Sequence, residues 1–193
     1  MRIHGENEIN RSIDVNQEND YKKYVPQLRE DFKHICGYCG KPEEVTTKGF
    51  EPDHFVPGRI DSSRKLDYSN LVYSCFTCNR KKLGKWPTEN KEKPNDGKVG
   101  FVDPALKEYD THLGRDKEGS IEFYTSVGEY MYKNAFRFDI RPMKEIWKIS
   151  QLINAKENLF KIKDKLTPEE LMKYLELDKA IEELKKILFE KKE

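Results

Sequence analysis

Apolar positions along this chain fall at two different periods, and the change of period marks out the elements. Tyr24, Leu28, Phe32 and Ile35 recur at i, i+4, i+8 and i+11, which predicts a helix over 21–35 with Asp20 as its cap and Pro26 in its first turn. Near the other end Ile146, Ile149, Ile153 and Phe160 keep helical spacing behind Pro142, as far as Lys163. Thr167-Pro168-Glu169-Glu170 then opens a last helix in the manner of a capping box, with Leu171, Tyr174, Leu175, Ile181, Leu184 and Leu188 as its stripe. Two helices joined by so short a turn predict an antiparallel hairpin, open either to packing on the rest of the chain or to a docking partner.

Between these helices the pattern is that of strands. β-Branched and aromatic residues over 45–56, interrupted at Pro52, predict a strand; Leu71-Val72-Tyr73 predicts its return, and 79–85 a short helix ended by Gly84 and the Trp86-Pro87 step. A second hairpin is expected about Glu118-Gly119-Ser120, between His112-Leu113 and residues 121–124, with a short helix within 125–138. Residues 1–19 are polar and read as an extended arm or an edge strand, and 87–98 as a linker. The expected organisation is a core at 1–98, a mixed extension at 99–140 and a helical hairpin at 141–193.

Composition makes that core thin, because hydrophobic residues are 36% of the 193 and charged residues 37%. A chain so poor in apolar side chains favours a metal staple. Thirty-six basic against 35 acidic residues leave a formal charge of +1, so any affinity for phosphates must be local. It is local: between 53 and 93 lie Arg59, Arg64, Lys65, Arg80, Lys81, Lys82, Lys85, Lys91 and Lys93 against five acidic residues. No apolar run reaches the roughly 18 residues of a membrane helix, and the expected location is cytoplasmic.

All four cysteines fall in two C-x-x-C pairs, Cys36/Cys39 and Cys75/Cys78. Each pair can present two thiolates from one tight turn, with Gly37 and Gly40 easing the first, and two such turns complete a tetrahedral Zn2+ site. Four thiolates leave no coordination position for water, so the metal would be structural. The competing readings are disulfides, which the paired spacing does not suit, and a redox pair, which two copies argue against. Inside the loop between the pairs stand Asp53-His54 and Asn70, and Asn79-Arg80-Lys81-Lys82 follows the second.

In these residues the sequence resembles the HNH endonuclease family of the zinc-knuckle, McrA-like kind: paired cysteines framing D-H, then N, then C-x-x-C-N-x-x-K. The resemblance implies a ββα-metal (His-Me finger) core, and with the N-terminal helix and the C-terminal helical hairpin read from the apolar spacing the expected fold class is α+β. It implies a metal-dependent endonuclease hydrolysing phosphodiester bonds in DNA, with RNA left open. His54 would be the general base, Asp53 and Asn79 the ligands of a catalytic Mg2+ or Mn2+, Asn70 a support for His54 or its loop, and Lys82 a phosphate contact. Arg80, Lys81, Lys85, Arg59, Arg64 and Lys65 would hold the strand. The family often has Gly after that lysine, where this chain has Leu83 and then Gly84. The layout also looks like nuclease subunits of bacterial antiphage systems of the Septu type, which implies a defence role and a protein partner such as an ATPase on the helical tail. The alternatives are a zinc-stapled nucleic-acid-binding module without catalysis, and a nuclease inactive until that partner docks.

Overall fold

The structure, a computed structural model, describes residues 1–46 and 48–190; Thr47, inside the predicted 45–56 strand, and the last three residues of the tail lie outside them. The chain divides into two compact units, Met1–Arg141 and Pro142–Glu193.

The first unit opens with an extended arm. It forms no strand, yet Met1 and Arg115 exchange backbone bonds, and Arg11 makes a bidentate pair with Asp103 at 2.7 and 2.9 Å while donating to the Leu71 carbonyl. Asp20 caps a 3-10 turn, Tyr21–Tyr24, and the chain runs on into α1, Val25–Asp31. The predicted 21–35 helix is therefore shorter than its apolar stripe. Lys33 and His34 take positive φ (54° and 60°), which a right-handed helix cannot accommodate, and this kink turns the chain into the first cysteine pair.

Strand β1, Glu51–His54, pairs antiparallel with β2, Leu71–Ser74, with Glu51 opposite Ser74 and His54 opposite Leu71. The pairing is four residues long where sequence suggested twelve. Upstream, the Thr46 hydroxyl closes a turn on Lys48, and downstream the Val56 N–H is taken by the side chain of Asn70. Helix α2, Phe76–Lys82, begins three residues earlier than predicted because Cys75 is its N-cap, and it ends earlier because Leu83 turns left-handed at φ 30°. Two strands followed by a helix carry Asp53, His54, Cys78, Asn79 and Lys82, with Asn70 in the turn just before β2, Cys75 capping α2 and the first cysteine pair upstream of β1.

Residues beyond α2 close over this unit. Trp86 is fully buried, with the Phe55 ring edge-on at 5.3 Å and Phe101 stacked at 5.9 Å, and Phe136 continues the cluster. A short helix α3, Tyr109–His112, leads into β3, Leu113–Arg115, which pairs with β4, Ile121–Phe123, across the expected Gly119 turn. Thr125 caps α4, Ser126–Tyr130, which passes into a π-helical turn at Met131–Ala135.

In the second unit α5, Met143–Phe160, and α6, Pro168–Glu190, are antiparallel: Lys156 is paired with Asp178 and the Phe160 ring lies 6.5 Å from Tyr174. Thr167 and Glu170 cap each other reciprocally, as the sequence predicts. The stripe of α6 agrees with expectation in part: Ile181 is buried and Tyr174, Leu184 and Leu188 are half-buried, whereas Leu171 and Leu175 are exposed and Leu177, outside the predicted stripe, is half-buried. No helix among the described residues is long and apolar enough to cross a membrane.

Candidate active site and metal centre

The four cysteines meet in one place. Their sulfurs all lie within 4.8 Å of one another, and all four residues are buried. A tetrahedral ion with Zn–S bonds of about 2.3 Å requires sulfur–sulfur edges of about 3.8 Å; the Cys39 and Cys75 sulfurs are 3.9 Å apart. The donor set and spacing fit Zn2+, and among the described residues these four are the only group of three or more His, Cys, Asp or Glu side chains close enough together to hold a metal. His34 takes no part, its ring being engaged by Glu43 and Glu30.

Local structure explains why the thiols converge. In the first turn the Gly40 N–H returns to the Cys36 carbonyl, and Gly40 sits at φ 65° with the Ile3 carbonyl where a Cβ would go. The Gly37 N–H donates to the Tyr73 carbonyl at 2.9 Å, fastening this turn to β2. In the second, the Cys75 sulfur accepts from the Cys78 N–H, so both thiols face one side of the α2 N-terminus. Burial pushes the Cys36 and Cys78 thiols well above the ordinary range. For Cys39 burial is outweighed by bonds from the neighbouring sulfurs and by the charge of Arg141, and its thiol falls well below that range.

Helix α2 lies against β1 along a polar seam. Successive side chains of a strand face opposite ways, so Glu51 and Asp53 share one face and His54, at the strand end, turns from it. On the helix Asn79 and Lys82 are one turn apart and meet that face in register. The Asn79 amide donates to Glu51 Oε2 at 2.9 Å, and the Lys82 ammonium reaches Asp53 Oδ2 at 3.0 Å and the His54 carbonyl at 2.6 Å. Tyr38 also donates to Asp53 Oδ2, at 2.5 Å. Glu51, Asp53 and the oxygen of Asn79 are hard oxygen donors of the kind Mg2+ or Mn2+ takes, so the seam fits such an ion by donor chemistry.

Sequence reasoning placed Lys82 on a phosphate, and its position differs. Its side chain is only 1% exposed and serves Asp53 and the end of β1. The reason is helical period: Lys82 follows Cys78 by four and Asn79 by three, so it is on the covered face, while Arg80 and Lys81 are on the open one.

His54 is partly exposed, with Tyr21 tilted against its ring at a centroid distance of 4.7 Å. Its Nε2 lies 2.9 Å from the Lys65 carbonyl. A carbonyl only accepts, so Nε2 carries the hydrogen and Nδ1 keeps a lone pair. Asn70 is buried and holds the loop rather than the ring: its side chain accepts from the Val56 N–H at 2.8 Å and donates to the Val56 carbonyl at 3.0 Å, with a longer bond to Arg64.

The other cations divide into two groups. Arg80, Lys81 and Lys65 are exposed and, among the described residues, lie in no ion pair. Arg59 is paired with Glu89 and Arg64 with Asp67, and the Lys85 ammonium donates to the Asn134 carbonyl. Sequence reasoning missed Glu51, Tyr38, Arg115 and Arg141. Glu51 had a signal, since i and i+2 of a strand share a face with Asp53; Tyr38 lies inside the first cysteine turn, fifteen residues before Asp53, while Arg115 and Arg141 reach the metal centre from distant parts of the chain.

Residues 36–84 match the HNH endonuclease family model. No curated protein and no solved structure matches the chain.

Proposed function

We propose that the protein is a metal-dependent endonuclease of the HNH type, with a ββα-metal core, that hydrolyses phosphodiester bonds in DNA. The observation that carries this reading is the setting of His54 within the matched segment. Its tautomer is fixed by the Lys65 carbonyl, and its lone pair stands at the exposed end of a strand whose other face holds the oxygen donors.

In-line displacement at phosphorus needs a base on the side of the attacking water and charge stabilisation on the side of the leaving oxygen. A phosphate at the end of the α2/β1 seam would have these on opposite sides. His54 Nδ1 takes the proton of the attacking water, while the Nε2–H bond to Lys65 stays in place and steadies the imidazolium that forms. Asp53 and the Asn79 oxygen would hold the divalent cation, which when bound would neutralise the charge growing on the phosphate and leaving oxygens. Glu51 orients Asn79, Lys82 and Tyr38 hold Asp53, and Asn70 keeps the loop after His54 closed. Arg80, Lys81 and Lys65 draw in the backbone electrostatically. Zinc on the four cysteines would hold the two turns that carry β2 and α2.

A second reading, a subunit gated by a protein partner, draws support from two observations. Asp53 is engaged by Lys82, and Leu171, Met172, Leu175 and Ile187 are exposed on α6. A role in antiphage defence belongs to this reading. Incubation of supercoiled plasmid, linear duplex and single-stranded DNA and RNA with the zinc-loaded protein, in Mg2+, Mn2+ or EDTA, tests the proposal. Cutting of DNA that requires the added cation supports it. Binding without cutting under every metal refutes it for the isolated chain and leaves the gated subunit or a binding module.

A further inference from the structure

A zinc ion with four thiolates carries a net charge of −2, and here it would be buried. Burying charge without compensation is costly, so the surroundings of the cysteines should contain cations. They contain two arginines, both outside the segment that matches the family. Arg141 directs Nη1 to the Cys78 sulfur at 3.3 Å and Nη2 to the Cys39 sulfur at 3.7 Å, and its guanidinium lies 5.1 Å from the centre of the Phe138 ring. Arg115 is 1% exposed and donates to the Cys39 carbonyl at 2.7 Å, the Ile3 carbonyl at 2.9 Å and the Gly119 carbonyl at 2.6 Å. The two cations therefore converge on Cys39, one at its sulfur and one at its backbone.

We propose that Arg115 and Arg141 are the counter-ions of the metal centre. The structural unit is then a zinc tetrathiolate neutralised by two guanidinium groups, and the extension after α2 completes the metal site. Arg141 acts as a positioning residue through charge-assisted N–H···S bonds. These draw electron density from Cys39 and Cys78, lower the affinity of those sulfurs for protons and electrophiles, and hold them in tetrahedral register. Arg115 fixes the first turn by its carbonyl and ties it to the arm and to the β3/β4 hairpin. Neither role depends on the nuclease reading, since both follow from the cysteine geometry alone.

The test uses the full chain with Arg141→Leu and Arg141→Lys. Zinc retention is read by competition with a chromophoric chelator, the metal environment by the thiolate-to-metal charge-transfer bands of the Co2+-substituted protein, and sulfur reactivity by alkylation rate. Loss of an outer partner of a metal ligand lowers affinity roughly 10–100-fold, so Arg141→Leu should release zinc at correspondingly lower chelator concentration. Its Co2+ bands should move to longer wavelength, and its thiols should alkylate faster. Arg141→Lys keeps the charge but loses the fork and should fall between. Unchanged zinc competition and bands in a folded Arg141→Leu protein overturn the proposal. Should that variant fail to fold, Arg141→Lys decides: bands and affinity identical to wild type also overturn it.

Discussion

Replacing Lys82 by Met distinguishes a lysine that holds the site together from one that touches the substrate. The wild-type ammonium is 3.0 Å from Asp53 Oδ2, with side chains 1% and 10% exposed, and it also bonds the His54 carbonyl. Methionine keeps most of the stem, so packing changes little. What remains is a nearly buried carboxylate whose oxygen keeps only the Tyr38 hydroxyl. Removing one partner of a buried ion pair costs about 3–5 kcal/mol, a large part of the roughly 5–15 kcal/mol that stabilises a domain. Urea unfolding of zinc-loaded protein at pH 7.5 should show a loss of that size without a change in slope. Adding Asp53→Asn should restore much of it, because the stranded charge goes with the second substitution. The reasoning is refuted if Lys82→Met costs less than about 1 kcal/mol while the salt dependence of DNA binding becomes shallower, the signature of a lost phosphate contact.

Three further outcomes follow from the geometry. Burial holds the His4 ring down to about 4, against a smaller opposing effect of its bond to the Gly37 carbonyl. A folded value below the unfolded one means that this contribution is complete above the unfolded value of about 6.5 and is lost as pH falls towards about 4, at most about 3 kcal/mol. His4→Gln should flatten the fall in urea midpoint over that window, and an unaltered slope contradicts the assignment. Removing zinc with a strong chelator withdraws about 10–16 kcal/mol of apparent binding energy, so the first unit should lose circular dichroism and expose all four cysteines to alkylation; a native spectrum after metal loss argues against a structural ion. Leu83 is exposed at φ 30°, and Leu83→Gly should raise stability by up to about 1 kcal/mol, the relief of left-handed strain less the entropy of glycine; a clear loss in the unfolding midpoint would mean that the side chain packs.

What could be read in the sequence was what local spacing encodes. Two C-x-x-C turns, the Thr167 capping box and the Gly119 hairpin each depend on residues a few positions apart, and each is found where the pattern placed it. How far the strand runs past His54 was not legible, because pairing ends where the Asn70 side chain takes the Val56 N–H, a bond between residues fourteen apart. The run Arg80-Lys81-Lys82 looks uniformly solvent-facing by composition, yet one turn of helix sends its third member inward to Asp53. Arg115 and Arg141 carried no signal at all: they lie 76 and 102 residues after Cys39, and only the tertiary fold brings them to it.

The central claim is that His54 Nδ1 removes a proton at the end of the α2/β1 seam. Its most direct measurement is the single-turnover rate of DNA cleavage by wild type and His54→Ala, both zinc-loaded, in saturating Mg2+ or Mn2+. A general base contributes about 10²–10⁴-fold, so the variant should bind DNA as wild type does and cut it at least about 100 times more slowly. Equal rates in the two proteins would contradict the account.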